Sequence, residues 1–258
     1  MWKSLLAAVL IALPPFATAE VPDANTIIER ARQNSAGFSD MIHEVRMILI
    51  DANGERSERE MLLKARSDEH GNSSSLSIFT APQREKGIAL LTHSKKGGDD
   101  EQWLYLPSTK RLKRIAGTAR TSSFRGSEFT FEDLADQNPV QYRFETVAAE
   151  ACDAQQCFVL DRFPAPSLES SYSKTRLWID QEHYRVIKAD FYDADGKRFK
   201  SMQTYDYRLY DKRLWNPARI VMSNLVTGKA TEMVSVNLQM NTGLKPSEFT
   251  ELAIRAWR

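Results

Sequence analysis

The sequence predicts a mainly β fold of the α+β class: one strongly curved antiparallel sheet with a few helices, in a single domain. Three observations predict it. Ten or more segments of strand length follow one another, most of them alternating apolar and polar residues. Polar turns such as Asp51-Ala52-Asn53-Gly54, Asp193-Ala194-Asp195-Gly196 and Thr227-Gly228-Lys229 join them. Helical spacing is clear only near the two ends of the mature chain, and no linker, fixed-period repeat or low-complexity segment divides it.

Taken in order, Asp23 to Gln33 places Ile27, Ile28 and Ala31 at helical spacing behind polar N-cap candidates, which predicts an amphipathic helix. Phe38 to Ile50 and Glu58 to Ala65 form a long hairpin about the Asp-Ala-Asn-Gly turn. Two further strands, Ser75 to Phe79 and Gly87 to Leu91, flank Ala81-Pro82-Gln83-Arg84-Glu85-Lys86. Trp103 to Leu106 and Arg111 to Ile115 make a tight hairpin about Pro107-Ser108-Thr109, and Glu132-Asp133 reads as an acidic helix start. Tyr142 to Val147 and Phe158 to Leu160 bracket the only two cysteines, Cys152 and Cys157. In an oxidising compartment these form a disulfide pinning a hairpin tip. A second meander follows, with strands over 172–179, 184–192, 199–210, 218–225 and 231–238, and Pro246-Ser247-Glu248-Phe249 opens a last helix.

The 258 residues hold 35 Lys and Arg against 34 Asp and Glu, so net charge selects no partner. The N-terminus is more informative. A basic start at Met1-Trp2-Lys3, an apolar run from Leu5 to Ile11 and the small residues Ala17-Thr18-Ala19 predict a secretory signal peptide over residues 1–19. The mature domain is then 20–258, and because Glu20 is not cysteine the lipobox of a bacterial lipoprotein is missing. No later run is long and apolar enough for a membrane helix, so the expected address is the periplasm.

Between residues 100 and 135 the chain sets aromatic residues beside a dense basic cluster, Lys110, Arg111, Lys113, Arg114, Arg120 and Arg125. The cluster suits lipid headgroups or transient docking on a membrane face, or else its alternate members simply point to solvent. Nucleic acid, the usual partner of such a cluster, does not fit an exported protein. A curved sheet with an apolar concave face and few covering helices is a container. Trp103, Tyr105, Trp178, Phe191 and Trp215 are candidates for its wall, with ordinary core as the alternative. Trp103 and Tyr105 share one strand face and Leu104 and Leu106 the other, so only one pair is expected inside.

The ordered blocks PQREKGIALLTHS, DEQWLYLPSTKRLKRI and FRGSEFTFEDL resemble those of the LolA-like family of periplasmic outer membrane lipoprotein-sorting proteins. There the blocks read roughly P-x-x-x-K-G-x-x-L-L, W-L-Y-L-P-x-x-x-R-x-R-R-I and G-S-D-F-x-Y-x-D-L. Glu128 stands where Asp is commoner and Phe131 where Tyr is usual. The resemblance implies an unclosed β-barrel with helices across its mouth and a hydrophobic cavity for the acyl chains of lipids or lipoproteins. It also implies no cofactor, no enzymatic turnover and an efflux-type inner-membrane transporter as partner.

Enzyme signatures are weak. His43, His70, His93 and His183 are scattered without metal-ligand spacing, Ser127 lacks the G-x-S-x-G elbow, and Asp99-Asp100-Glu101 reads as a solvated turn. The expectation is a non-enzymatic carrier without metal or cofactor. The alternative is an RseB-like envelope sensor or accessory subunit that regulates a membrane protein through protein contacts, although such sensors usually carry a second domain.

Overall fold

The computed structural model describes residues 21–35, 38–135, 138–212 and 214–257. The expected signal peptide lies outside them. Thirteen antiparallel strands form one sheet: β1 (Asp40–Ile50), β2 (Arg56–Ser67), β3 (Ser73–Ala81), β4 (Ala89–Ser94), β5 (Glu101–Leu106), β6 (Arg111–Ile115), β7 (Tyr142–Cys152), β8 (Gln155–Pro164), β9 (Lys174–Asp180), β10 (Val186–Tyr192), β11 (Arg198–Tyr210), β12 (Leu214–Asn224) and β13 (Ala230–Met240). Among the described residues two α-helices accompany them, α1 (Ala24–Ser35) and α2 (Glu251–Ala256).

The strand order is β6-β5-β4-β3-β2-β1-β13-β12-β11-β10-β9-β8-β7, two meanders fused where β13 pairs with β1. The sheet does not close, and its edges are β6 and β7. These edges are consecutive in sequence, so the connecting segment 116–141 has to run from one to the other. Its described residues 116–135 do so on the concave side. Phe124, wholly buried, stacks on Phe79 at 5.6 Å and meets Phe131 edge-on at 5.6 Å among Met47, Leu90 and Leu104. Phe129 instead joins the apolar cluster of the β7–β12 half. The segment is a plug that fills one half of the concavity.

Glu132-Asp133, read from sequence as a helix start, is a turn. Both carboxylates are committed to tertiary bonds: Glu132 accepts from the Ser171 N–H at 2.9 Å, and Asp133 accepts from the Thr130 N–H at 2.8 Å and the Tyr172 hydroxyl at 2.9 Å. Of the Trp103/Tyr105 and Leu104/Leu106 pairs only one is inside, yet both are covered. Leu104 and Leu106 face the plug, while Trp103 and Tyr105 lie on the convex face beneath α2, packed with Leu76, Leu91, Phe249 and Ile254. α2 therefore buries the outside of the β3–β6 half.

The convex face of the other half is polar. Asp161 accepts from Lys174 and Arg176, and Asp190 from Arg198 and Ser201, so a single layer of strands meets water through ion pairs. The disulfide Cys152–Cys157 ties the β7–β8 hairpin, as its spacing predicts. No helix among the described residues is long and apolar enough to cross a membrane.

Candidate functional site

The half of the concavity that the plug leaves open holds the site. α1 starts on Asp23, whose Oδ1 accepts from the N–H groups of Asn25 and Thr26 at 3.0 and 3.1 Å, an N-cap that fixes where the helix begins. The helix packs against β7 and β12, and Ile27 is wholly buried beneath it. On the far side of the mouth, the turn between β9 and β10 meets the helix. Arg30 donates to the Tyr184 hydroxyl at 2.5 Å, and the Asn34 amide donates to the His183 carbonyl at 3.0 Å.

Under this cover lies a cavity of about 390 Å³. Its floor is the inward row of several strands: Leu177 and Ile179 on β9, Ala189 and Phe191 on β10, Met202 on β11 and Met222 on β12. Ile28 and Ala31 close it from α1, and Phe129 closes it from the plug. Alternation places these residues inside, because each strand turns every second side chain to the concave face. Tyr207 also lines the cavity, following Asp206, whose φ of 54° interrupts the strand while the pairing with β12 keeps one register, and its hydroxyl donates to the Val186 carbonyl at 2.7 Å.

Charge gathers at the two ends. Deep inside, the Lys200 ammonium donates to the Tyr172 hydroxyl at 2.9 Å, lies 3.6 Å from Asp133 and is ringed by Tyr172, Phe191 and Phe199. Burial and the neighbouring Asp133 hold the Tyr172 phenol protonated well above its ordinary range. Burial also raises the Glu132 carboxyl above the usual range. At the mouth, the Arg185 guanidinium sits between the rings of Tyr207 and Trp215, at 5.0 and 4.7 Å, and donates to Asp180 at 2.9 Å. Among the described residues no group of three or more His, Cys, Asp or Glu is arranged to hold a metal ion.

A domain from Vibrio parahaemolyticus described as outer membrane lipoprotein-sorting is similar over 89% of this chain and 97% of its own, at 36% identity and a TM-score of 0.85. The chain belongs to the LolA-like outer membrane lipoprotein-sorting family. A family model whose members are described as uncharacterized proteins matches residues 71–256. Two solved structures share the fold at lower identity. A DUF1329 family protein from Desulfovibrio piger is 23% identical over 89% of this chain and 98% of its own, with a TM-score of 0.82. A LolA superfamily protein from Nitrosomonas europaea is 20% identical over 90% of this chain and all of its own, with a TM-score of 0.71. No curated protein matches.

Within this LolA-like fold the residues singled out from sequence part company. Phe191 and Trp215 line the cavity. Trp178 does not, since the neighbours Leu177 and Ile179 point inward and leave it on the convex face, where its Nε1 donates to Glu150 at 2.8 Å. Trp103 and Tyr105 belong to the α2 contact described above. The basic cluster is likewise dispersed. Lys110, Arg111, Lys113 and Arg114 lie on or beside the edge strand β6, with Arg114 paired to Glu101 at 3.0 Å. Arg120 lies in the last turn of a short 3-10 helix at Gly117–Thr121, and Arg125 is bonded through two nitrogens to the buried Glu85 at 3.2 and 2.9 Å. Arg125 thus locks the plug to the wall. Residues that composition did not flag, Ile28, Met202 and Met222 among them, make most of the apolar lining. Their signal was strand parity, legible once Leu177 and Ile179 fix the inner face of β9.

Proposed function

We propose that the protein is a periplasmic carrier that holds the acyl chain of a lipid or lipidated protein in the cavity beneath α1. The observation that supports this reading is the apolar, roofed cavity of about 390 Å³, inside the range of about 300–1,000 Å³ usual for ligand pockets. A methylene is similar in size to a water molecule, whose share of the liquid is about 30 Å³, so the cavity holds on the order of a dozen methylenes. At about 0.8 kcal/mol each, burial of such a chain supplies on the order of 10 kcal/mol. The tail then decides whether a ligand binds, while a basic residue near an anionic headgroup adds only about 1 kcal/mol.

In this reading the mature carrier begins at Glu20, Lys110, Arg111 and Lys113 on the β6 edge make transient contact with anionic membrane, and an efflux-type transporter is the partner. The test is native mass spectrometry of protein purified from a periplasmic extract, with identification of any lipid adduct. Ala189→Trp fills the cavity floor at a cost of about 1–3 kcal/mol from overpacking and is expected to remove the adduct. A wild-type protein that carries no lipid, and takes none up from envelope lipid extract, overturns the carrier reading.

A further inference from the structure

The carrier reading above, on which this inference rests, needs a route by which an acyl chain reaches the cavity. The sheet supplies one where it comes apart. β12 starts at Leu214 and β13 runs to Met240, yet among the described residues the two strands pair only over 219–223 and 230–234. The first part of β12 remains paired with β11, through Tyr207↔Pro217 and Leu209↔Trp215. Pro217 has no N–H to donate, which suits a strand with no neighbour on one side, and its carbonyl accepts from the Asn216 amide at 3.1 Å. Val236, on the part of β13 that has left β12, is exposed.

This end of the β11–β12 hairpin, residues 207–217, is an arm that forms one wall of the cavity. Tyr207, Trp215 and Pro217 line it, while none of the described lining comes from β13. The arm joins the sheet at a break in the ladder. Asp206, with φ of 54°, and Ala218 opposite it are left out of a pairing that continues on either side. Such a position absorbs a change of backbone angle without unzipping the hairpin. On the side facing β10, side chains hold the arm. The Tyr207 hydroxyl donates to the Val186 carbonyl, the Arg185 guanidinium lies between the Tyr207 and Trp215 rings, and the His183 ring meets Trp215 at 4.8 Å. Arg185 is itself fixed by Asp180 and Gln155, which makes it a stationary catch for the two rings. α1 is seated differently: lifting it would uncover the wholly buried Ile27, whereas Tyr207, Trp215 and Pro217 are already partly exposed.

We propose that the arm 207–217 is the lid of the cavity. It swings outward about Asp206 and Ala218, lifts Tyr207 and Trp215 off Arg185, and lets an acyl chain enter and leave sideways through the gap beside β13 while α1 stays in place. The closed state is the one described here, and the catch sets how often the lid opens.

The test follows exchange of the fluorescent fatty acid cis-parinaric acid by stopped flow. Tyr207→Phe removes the hydroxyl from the catch and keeps the ring, and the Val186 carbonyl retains its bond from the Thr204 hydroxyl at 2.8 Å. Association and dissociation are both expected to quicken about fivefold at nearly unchanged affinity, because loss of one neutral hydrogen bond favours the open lid by that factor. In a Cys152→Ser, Cys157→Ser background, His183→Cys and Trp215→Cys joined by a bifunctional methanethiosulfonate reagent fasten the lid shut. Exchange is then expected to fall about tenfold or more and to return when dithiothreitol cleaves the link. Each protein is checked for folding by its thermal transition, and Tyr207→Phe remains informative where the double cysteine variant fails to fold. Faster dissociation alone in Tyr207→Phe shows a hydroxyl that touches the ligand and overturns the lid. Unchanged exchange in Tyr207→Phe or in the linked protein overturns the lid and leaves the carrier reading standing. Faster exchange in Tyr184→Phe instead, which frees the hydroxyl bond from Arg30 on α1, moves the entrance to the helix and overturns the assignment to the arm. A wild-type protein that binds no probe overturns both readings.

Discussion

Glu85 shows what a single buried charge does in this molecule. It lies in the turn before β4, its side chain 8% exposed, with Arg125 bonded to one carboxylate oxygen and Arg59 3.9 Å from the other. Arg59 in turn donates to the Arg125 carbonyl at 2.6 Å, so the carboxylate joins β2, the wall and the plug. Glu85→Gln leaves two guanidinium groups facing each other without an anion and is expected to cost about 3–5 kcal/mol, read from the urea midpoint. A shift below about 1 kcal/mol would show that the plug is held by its phenylalanines alone. His43 makes a second prediction at this scale. Burial pushes its imidazole down to about 4 from 6.5, and a ring nitrogen lies 2.8 Å from the Ser235 hydroxyl. The native state keeps His43 neutral while the unfolded chain takes up a proton, so this contribution is complete above pH 6.5 and is lost as pH falls to about 4. The slope is at most about 1.4 kcal/mol per pH unit. His43→Gln is expected to flatten the decline in urea midpoint across that window, and an unchanged slope would remove His43 from the acid response.

Among the elements, the β7–β8 hairpin tests how much a covalent tie adds to a strand pair that is already formed. Cys152 and Cys157 are five positions apart, and a loop that short removes little entropy from the unfolded chain, about 2 kcal/mol. Replacing both cysteines by serine is expected to lower stability by no more than that, as read from chemical denaturation, with lipid uptake unchanged. Loss of uptake would show that the hairpin has a part in the site. The helices show why some elements were legible and others were not. α1 announces itself because Asp23 caps it and Ile27, Ile28 and Ala31 recur on one face. The turn at Glu132-Asp133 carries the composition of a helix start. Its carboxylates instead bond to Ser171, Thr130 and Tyr172, and Ser171 and Tyr172 lie far along the chain.

At the scale of the whole molecule, an open sheet has to manage two free edges. β6 is five residues long and carries Arg111, Lys113 and Arg114, the charged and short design that keeps edge strands from pairing with another chain. Replacing those three by valine is expected to produce dimers or larger species in size-exclusion chromatography at unchanged helix and strand content. A variant that stays monomeric would show that the edge is guarded by its length or its surroundings rather than by charge.

Strand number, antiparallel order, the disulfide and the first and last helices were all written in local pattern: alternation, turn residues, caps and spacing. The family blocks were legible as well, although Glu85 and Arg125 within them prove to hold the plug in place rather than a ligand. The tertiary structure alone decided which face of each strand is inside. Parity says that Trp178 opposes Leu177 and Ile179, or that Trp103 opposes Leu104, yet it does not say which set meets the core. That choice follows from the path of segment 116–141 between the two edges, and from α2 covering the outside of β3–β6. Both are long-range events. They turn Phe191 and Trp215 toward a cavity and Trp103, Tyr105 and Trp178 away from it, because burial depends on what the fold lays over a face and not on the residues of the strand itself.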